Sequence, residues 1–142
     1  MNISLVKEFT HFLFAPDADR FLQNFKNSKD IVSQLNNRRI YTVKFEKLLI
    51  SSAGLYIESG SFVVVLNDLN TEEDMAISLG HEIGHTFHFD LSVTPPVVIC
   101  GLSEQNEEEV EKFCDRFSEL WLEQADKENV IRRIKNEREM LF

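Results

Sequence analysis

The chain has 142 residues, 43% of them hydrophobic and 27% charged, proportions and a length that suit one globular domain able to bury about 70% of its unfolded surface without disulfides. They exclude a disordered, collagen-like or low-complexity chain. Lys+Arg number 15 against 24 Asp+Glu, a net charge of −9; a field of that sign repels phosphate backbones and anionic lipid, so neither direct nucleic-acid binding nor a membrane-surface role is expected.

Met1 to Glu8 lack the basic region and continuous apolar stretch of a signal peptide. Pro16 and Asp17 break the first apolar segment (Phe9, Phe12, Leu13, Phe14), and a helix from about Asp17 to Phe25 can follow. A second helix is expected from Asp30 to Arg39, with Asp30 as N-cap and Ile31, Val32 and Leu35 facing inward. Tyr41 to Phe45 alternates with β-branched and aromatic types and reads as a strand. Gly54-Leu55-Tyr56-Ile57 and Phe62-Val63-Val64-Val65-Leu66 read as a hairpin around Glu58-Ser59-Gly60-Ser61, and Asn67-Asp68 ends that sheet.

Thr71 opens the next helix with a capping box in which Asp74 stands where Glu or Gln is usual. This helix is expected to run from Glu72 to about Phe89, with Pro95-Pro96 in an extended loop beyond it. Two charged amphipathic helices follow, about Asn106 to Glu123 and Ala125 to Glu139. Arg132, Arg133, Lys135 and Arg138, interleaved with acids, read as a solvated face of the last one. The fold class is therefore α+β, a small antiparallel sheet of about three strands between N-terminal and C-terminal helices, in a single domain over residues 1–142. Cys100 and Cys114 cannot make a secreted disulfide framework; one bridge is conceivable, but two small buried thiols are the preferred reading. No apolar run is long enough to cross a bilayer. The expected setting is cytoplasmic.

The chemistry concentrates in His81-Glu82-Ile83-Gly84-His85, an H-E-x-x-H on the helix that Thr71 opens. Residues four apart on a helix stack on one face with Cβ atoms about 5–6 Å apart, so two imidazoles can share one tetrahedral Zn²⁺. Glu82, about 100° further round the helix, can reach a water there without ligating the metal, which suits a general base. About one shuffled chain in a hundred would show this pattern, so context has to strengthen it. On a helical wheel Met75, Leu79, Ile83 and Phe87 form one apolar stripe, with His81, His85 and His88 on nearly the opposite side. Gly80 and Gly84 each cost about 1 kcal/mol against Ala in a helix, which points to another segment packing closely there.

A third ligand is expected downstream. Glu111 and Asp115, four apart, share a face of the helix whose apolar arc is Val110, Phe113, Cys114, Phe117, Leu120 and Trp121. Glu111 can ligate the metal, and Asp115 can accept the second ring N–H of a ligating histidine. Spacing alone leaves Glu104, Glu107, Glu108 and Glu109 open as alternatives.

Three blocks together resemble the ImmA/IrrE family of metallo-endopeptidases, within the broader gluzincin group. Gly54 to Ile57 with Val63 to Asn67 is similar to its short strands ahead of the active-site helix. Leu79-Gly80-His81-Glu82-Ile83-Gly84-His85-Thr86-Phe87-His88 is similar to its zinc helix. Glu111-Lys112-Phe113-Cys114-Asp115-Arg116-Phe117-Ser118 is similar to its downstream ligand block. The resemblance spans Gly54 to Leu122, about half of the chain. Cys114 and Ser118 stand where the family usually has alanines, and its proline after this helix block is absent.

The resemblance selects Glu111 as third ligand and Asp115 as partner of His81. It implies one Zn²⁺ per chain and hydrolysis of a peptide bond, with Glu82 moving the proton. His88 and Tyr56 are candidates for oxyanion or substrate contacts, and the strand Phe62 to Leu66 is an expected edge for an extended substrate. By analogy the partner is a protein substrate such as a DNA-binding helix-turn-helix repressor of a phage or mobile element. The alternative is a non-catalytic regulator that keeps the fold and binds a repressor or toxin.

Overall fold

The computed structural model describes residues 5–9, 12–24, 31–47, 51–99 and 107–140. Asp30, Cys100 and Glu104 lie outside the described residues, as do Phe25 and Asn106 at two expected helix ends. Six helices are present among them: α1 (Leu5–Glu8), α2 (Ala15–Asn24), α3 (Ile31–Asn37), α4 (Glu72–Thr86), α5 (Glu107–Leu122) and α6 (Val130–Met140). They surround a sheet of β1 (Ile40–Glu46), β2 (Ala53–Glu58) and β3 (Ser61–Asn67), while β4 (Phe89–Asp90) and β5 (Val97–Val98) form a separate small ribbon. This is the expected α+β class. No helix among the described residues is long and apolar enough to cross a membrane.

The sheet is mixed where an antiparallel one was expected. Strand order is β1-β3-β2, with β2 antiparallel and β1 parallel to β3. The hairpin is as read, since Ser59 and Gly60 have φ of 51° and 82°, the paired left-handed residues of a two-residue type I′ turn. β1 then lies on the other edge of β3. Side-chain alternation marks a half-buried strand but carries no information about its direction. The same order corrects the expected substrate edge: β3 is central, buried from Phe62 to Asn67, and β2 is an edge. An uninterrupted apolar run suits a strand covered on both faces.

α4 begins as its capping residues dictate, with the Thr71 hydroxyl accepting from the Asp74 N–H at 3.1 Å. It ends at Thr86, three residues before the expected end. Arg38 donates to the Thr86 hydroxyl at 3.1 Å and to its carbonyl at 3.0 Å, and the guanidinium lies 3.9 Å from the Phe87 ring centroid. A cation there satisfies a terminal carbonyl and complements the helix dipole. Phe89 and Asp90 are then free to pair with Val98 and Val97. α6 starts later than expected because Asp126 takes the Glu128 N–H at 3.1 Å and the Asn129 amide at 2.6 Å, holding a turn ahead of the helix.

α4 and α5 cross with their backbones nearly touching. A Cβ on Gly84 would stand 3.1 Å from the Cys114 Cα, and one on Gly80 would stand 2.9 Å from the Trp121 ring and 3.0 Å from the Ser118 Cα. Ser118 also donates to the Ile77 carbonyl at 2.8 Å. Small residues of α5 thus fit the glycine groove of α4, as the two costly glycines implied. Phe113, Phe117 and Trp121 are fully buried beside them.

Gly80→Ala gains about 1 kcal/mol of helix propensity but overpacks the crossing, at a cost of about 1–3 kcal/mol. The overpacking should win, with thermal unfolding shifted down by several degrees; an unchanged or raised Tm would show the crossing to be looser than described.

Candidate metal centre

The crossing brings the two arms of the site together. His81 and His85 project from α4, and Glu111, Cys114 and Asp115 from the part of α5 that follows its first turn. The acids Glu107, Glu108 and Glu109 occupy the first turn of α5 and are exposed, a place where carboxylates complement the helix dipole. Glu111 is the one that faces the histidines.

His81 Nδ1 lies 2.8 Å from Asp115 Oδ1. A neutral ring that donates its Nδ1–H to Asp115 turns the Nε2 lone pair toward His85 and Glu111. His81 Nε2 is 3.1 Å from His85 Nε2 and 2.8 Å from Glu111 Oε2, and Glu111 Oε1 is 3.4 Å from His85 Nε2. Lone pairs converging at that spacing repel unless a proton or a metal ion sits among them. Ligands bound at about 2.0–2.2 Å in a tetrahedron stand roughly 3.3–3.6 Å apart; the observed 3.1 and 3.4 Å lie near that scale and the 2.8 Å contact is shorter. The donors present fit a bound cation.

Cys114 was read from sequence as a buried thiol, and it is free and fully buried. It also belongs to the site: His81, His85 and Cys114 each offer one donor atom within 4.8 Å of the others and could hold a metal ion. Its place three residues after Glu111, one helical turn on, was the available signal. Burial, and then the carboxylates of Glu111, Glu82 and Asp115, push the thiol well above its ordinary pKa.

Glu82 is buried, 8% exposed. It lines a cleft of about 300 Å³ with Ser52, Ala53, Ile77, Ser78, His81 and Asp115. Burial pushes its carboxyl up to about 7, with Glu111 adding to the rise and His81 opposing it. The His85 ring is held below its ordinary pKa, chiefly by burial.

His88 lies past the end of α4, buried, with its ring 4.6 Å from Phe14 and 5.4 Å from His85. Its Nε2 has no hydrogen-bond partner, and burial, with His85 and His81 nearby, lowers its pKa to about 3. Tyr56 is exposed on β2, its ring folded back over Gly54. The structure thus brings His81, Glu82, His85, Glu111 and Asp115 to one place, packs His88 behind His85, and leaves Tyr56 on the outer sheet surface. Comparison of the chain with protein-family models, with curated proteins and with solved structures finds no match.

The raised Glu82 pKa has a stability consequence in the metal-free protein. Below the unfolded value of 4.5 both states hold the proton, whereas between 4.5 and about 7 only the folded state does. Stability attributable to this group therefore falls as pH rises through that window. Glu82→Gln should be more stable than the unaltered chain at pH 8, by up to about 3 kcal/mol, with the difference vanishing below pH 4.5. Urea unfolding in chelator at both pH values reads this directly.

Proposed function

We propose that the chain is a zinc-dependent endopeptidase of the ImmA/IrrE kind, cutting a specific regulatory protein, with a helix-turn-helix repressor as the substrate class. One observation carries the reading: the carboxylate of Glu111 meets both imidazoles of an H-E-x-x-H helix, at 2.8 and 3.4 Å, with the buried Glu82 beside them. Zinc follows from the donor types, two imidazole nitrogens and one carboxylate with a thiol adjacent. His81, His85 and Glu111 would hold it, and Asp115 would orient His81. Glu111 is preferred to Cys114 as third ligand because its carboxylate oxygens already lie 2.8 and 3.4 Å from the two ring nitrogens, whereas burial and three acids push the thiol pKa well above its ordinary value.

Bound zinc would supply the Lewis acidity that makes water a nucleophile near neutral pH and polarises a scissile carbonyl. Glu82, buried beside the histidines, is placed to take a proton from the attacking water on its carboxylate oxygen and hand it to the departing amine. Water adds to the carbonyl carbon, the C–N bond breaks, and the proton moves from water to nitrogen by way of Glu82. Ser52 and Ala53, at the start of the edge strand β2, line the same cleft. That supports a substrate laid in extended form along β2 by backbone pairing.

The purified protein should carry about one zinc per chain, lost in His85→Ala. Glu111→Ala should weaken zinc binding by about 100-fold or more, and Cys114→Ala by less than about threefold; the reverse order would make Cys114 the third ligand. Ligating imidazoles must be neutral, so occupancy should fall as pH drops below about 6.5, with the burial of His85 moving the loss lower.

Incubation with the candidate repressor should give site-specific cleavage that Glu82→Gln slows by about 10²–10⁴-fold while leaving zinc content unchanged. An intact repressor in both tubes counts against the peptidase. If Glu82→Gln leaves the cellular effect intact, the protein acts by binding.

A further inference from the structure

The cleft beside Glu82 does not end at Asp115. Ile77 and Asp115 are shared with a larger groove of about 940 Å³ that runs along α5 to the turn before α6. Its floor is apolar where Ile77, Leu122 and Ala125 line it, and its rim carries Asp115, Glu119, Glu123, Asp126 and Glu128 against the single cation Lys127. Three of those carboxylates are engaged, Asp115 with His81, Glu119 with Arg116 and Asp126 with the turn it caps. The side chains of Glu123 and Glu128 have no hydrogen-bond or ion-pair partner among the described residues and are exposed.

We propose that this groove receives the part of the substrate next to the scissile bond, and that it selects a segment rich in Lys and Arg. The inference rests on the peptidase reading and names the substrate chemistry of that same site. An apolar floor under a carboxylate rim matches a side chain with a long aliphatic stem and a cationic head. Continuity with the cleft makes the chain being cut the occupant, because one route out for a backbone held at β2 and Glu82 is bordered by Ile77 and Asp115. A DNA-binding protein must carry such cations to neutralise phosphates, so the groove can take a segment that the rest of this acidic molecule also attracts.

The test uses zinc-loaded Glu82→Gln protein, which holds substrate without cutting it, and two fluorescein-labelled twelve-residue probes of the same apolar content. One carries four Lys/Arg and the other four Asp/Glu. In fluorescence anisotropy at low salt the basic probe should bind at least about tenfold more tightly than the acidic one, and the preference should shrink as salt rises. Adding Glu123→Lys with Glu128→Lys should abolish it. Glu107→Lys with Glu108→Lys, at the start of α5, changes net charge equally and should leave most of it intact.

Equal loss from both charge reversals would mean general attraction to an acidic protein and would overturn the groove. So would the absence of any preference. Zinc content and repressor cleavage, measured on the unaltered protein from the same preparation, report the peptidase separately: a zinc-bound, cleaving enzyme without charge preference refutes the groove alone.

Discussion

Everything at the centre of this molecule depends on two helices approaching without side chains between their backbones. Gly80 and Gly84 of α4 take Ser118 and Cys114 of α5 into a groove where an ordinary Cβ would sit about 3 Å from its neighbours. The close crossing lets Glu111 reach both Nε2 atoms and lets Asp115 reach the far nitrogen of His81. Helix propensity is given up at the two glycines, and Phe113, Phe117 and Trp121, buried along the crossing, offset it.

The same approach decides the protonation of the site. With Asp115 taking the His81 Nδ1 proton, the remaining lone pairs face one another at a spacing that could hold a cation. Burial works on the neighbours in opposite senses, raising the Glu82 carboxyl and lowering the rings of His85 and His88. A low-dielectric pocket disfavours every charge it encloses, so Glu82 takes a proton more readily, and the two rings less readily, than in water. His88, packed against Phe14 and Phe113, forms part of the wall behind His85.

Much of this was legible in the amino-acid order because the signals were local. Thr71 marked the start of α4, Ser59-Gly60 marked the hairpin, and the glycines of α4 announced a close neighbour. The i, i+4 spacing of His81 with His85, and of Glu111 with Asp115, placed each pair on one face. What escaped was set by distant parts of the chain. The end of α4 is fixed by Arg38, 48 residues upstream, and the direction of β1 by which edge of β3 remained open. The start of α6 turned on Asp126 binding its own following residues, a choice that its amphipathic pattern does not encode. Cys114 read as core because it is core; its nearness to the metal donors follows from the helix crossing and not from its own type.

The grip of Arg38 on the last turn of α4 reaches beyond the helix end. Its guanidinium is desolvated enough for burial to lower its pKa to about 10, so it stays charged at neutral pH while taken largely out of water. A single side chain from just ahead of the sheet thus fastens the turn that follows His85. Severing or trimming the chain upstream of β1 would loosen that turn and let the second imidazole drift. Among the described residues ahead of β1 none joins the donor cluster, yet Arg38 acts as its anchor.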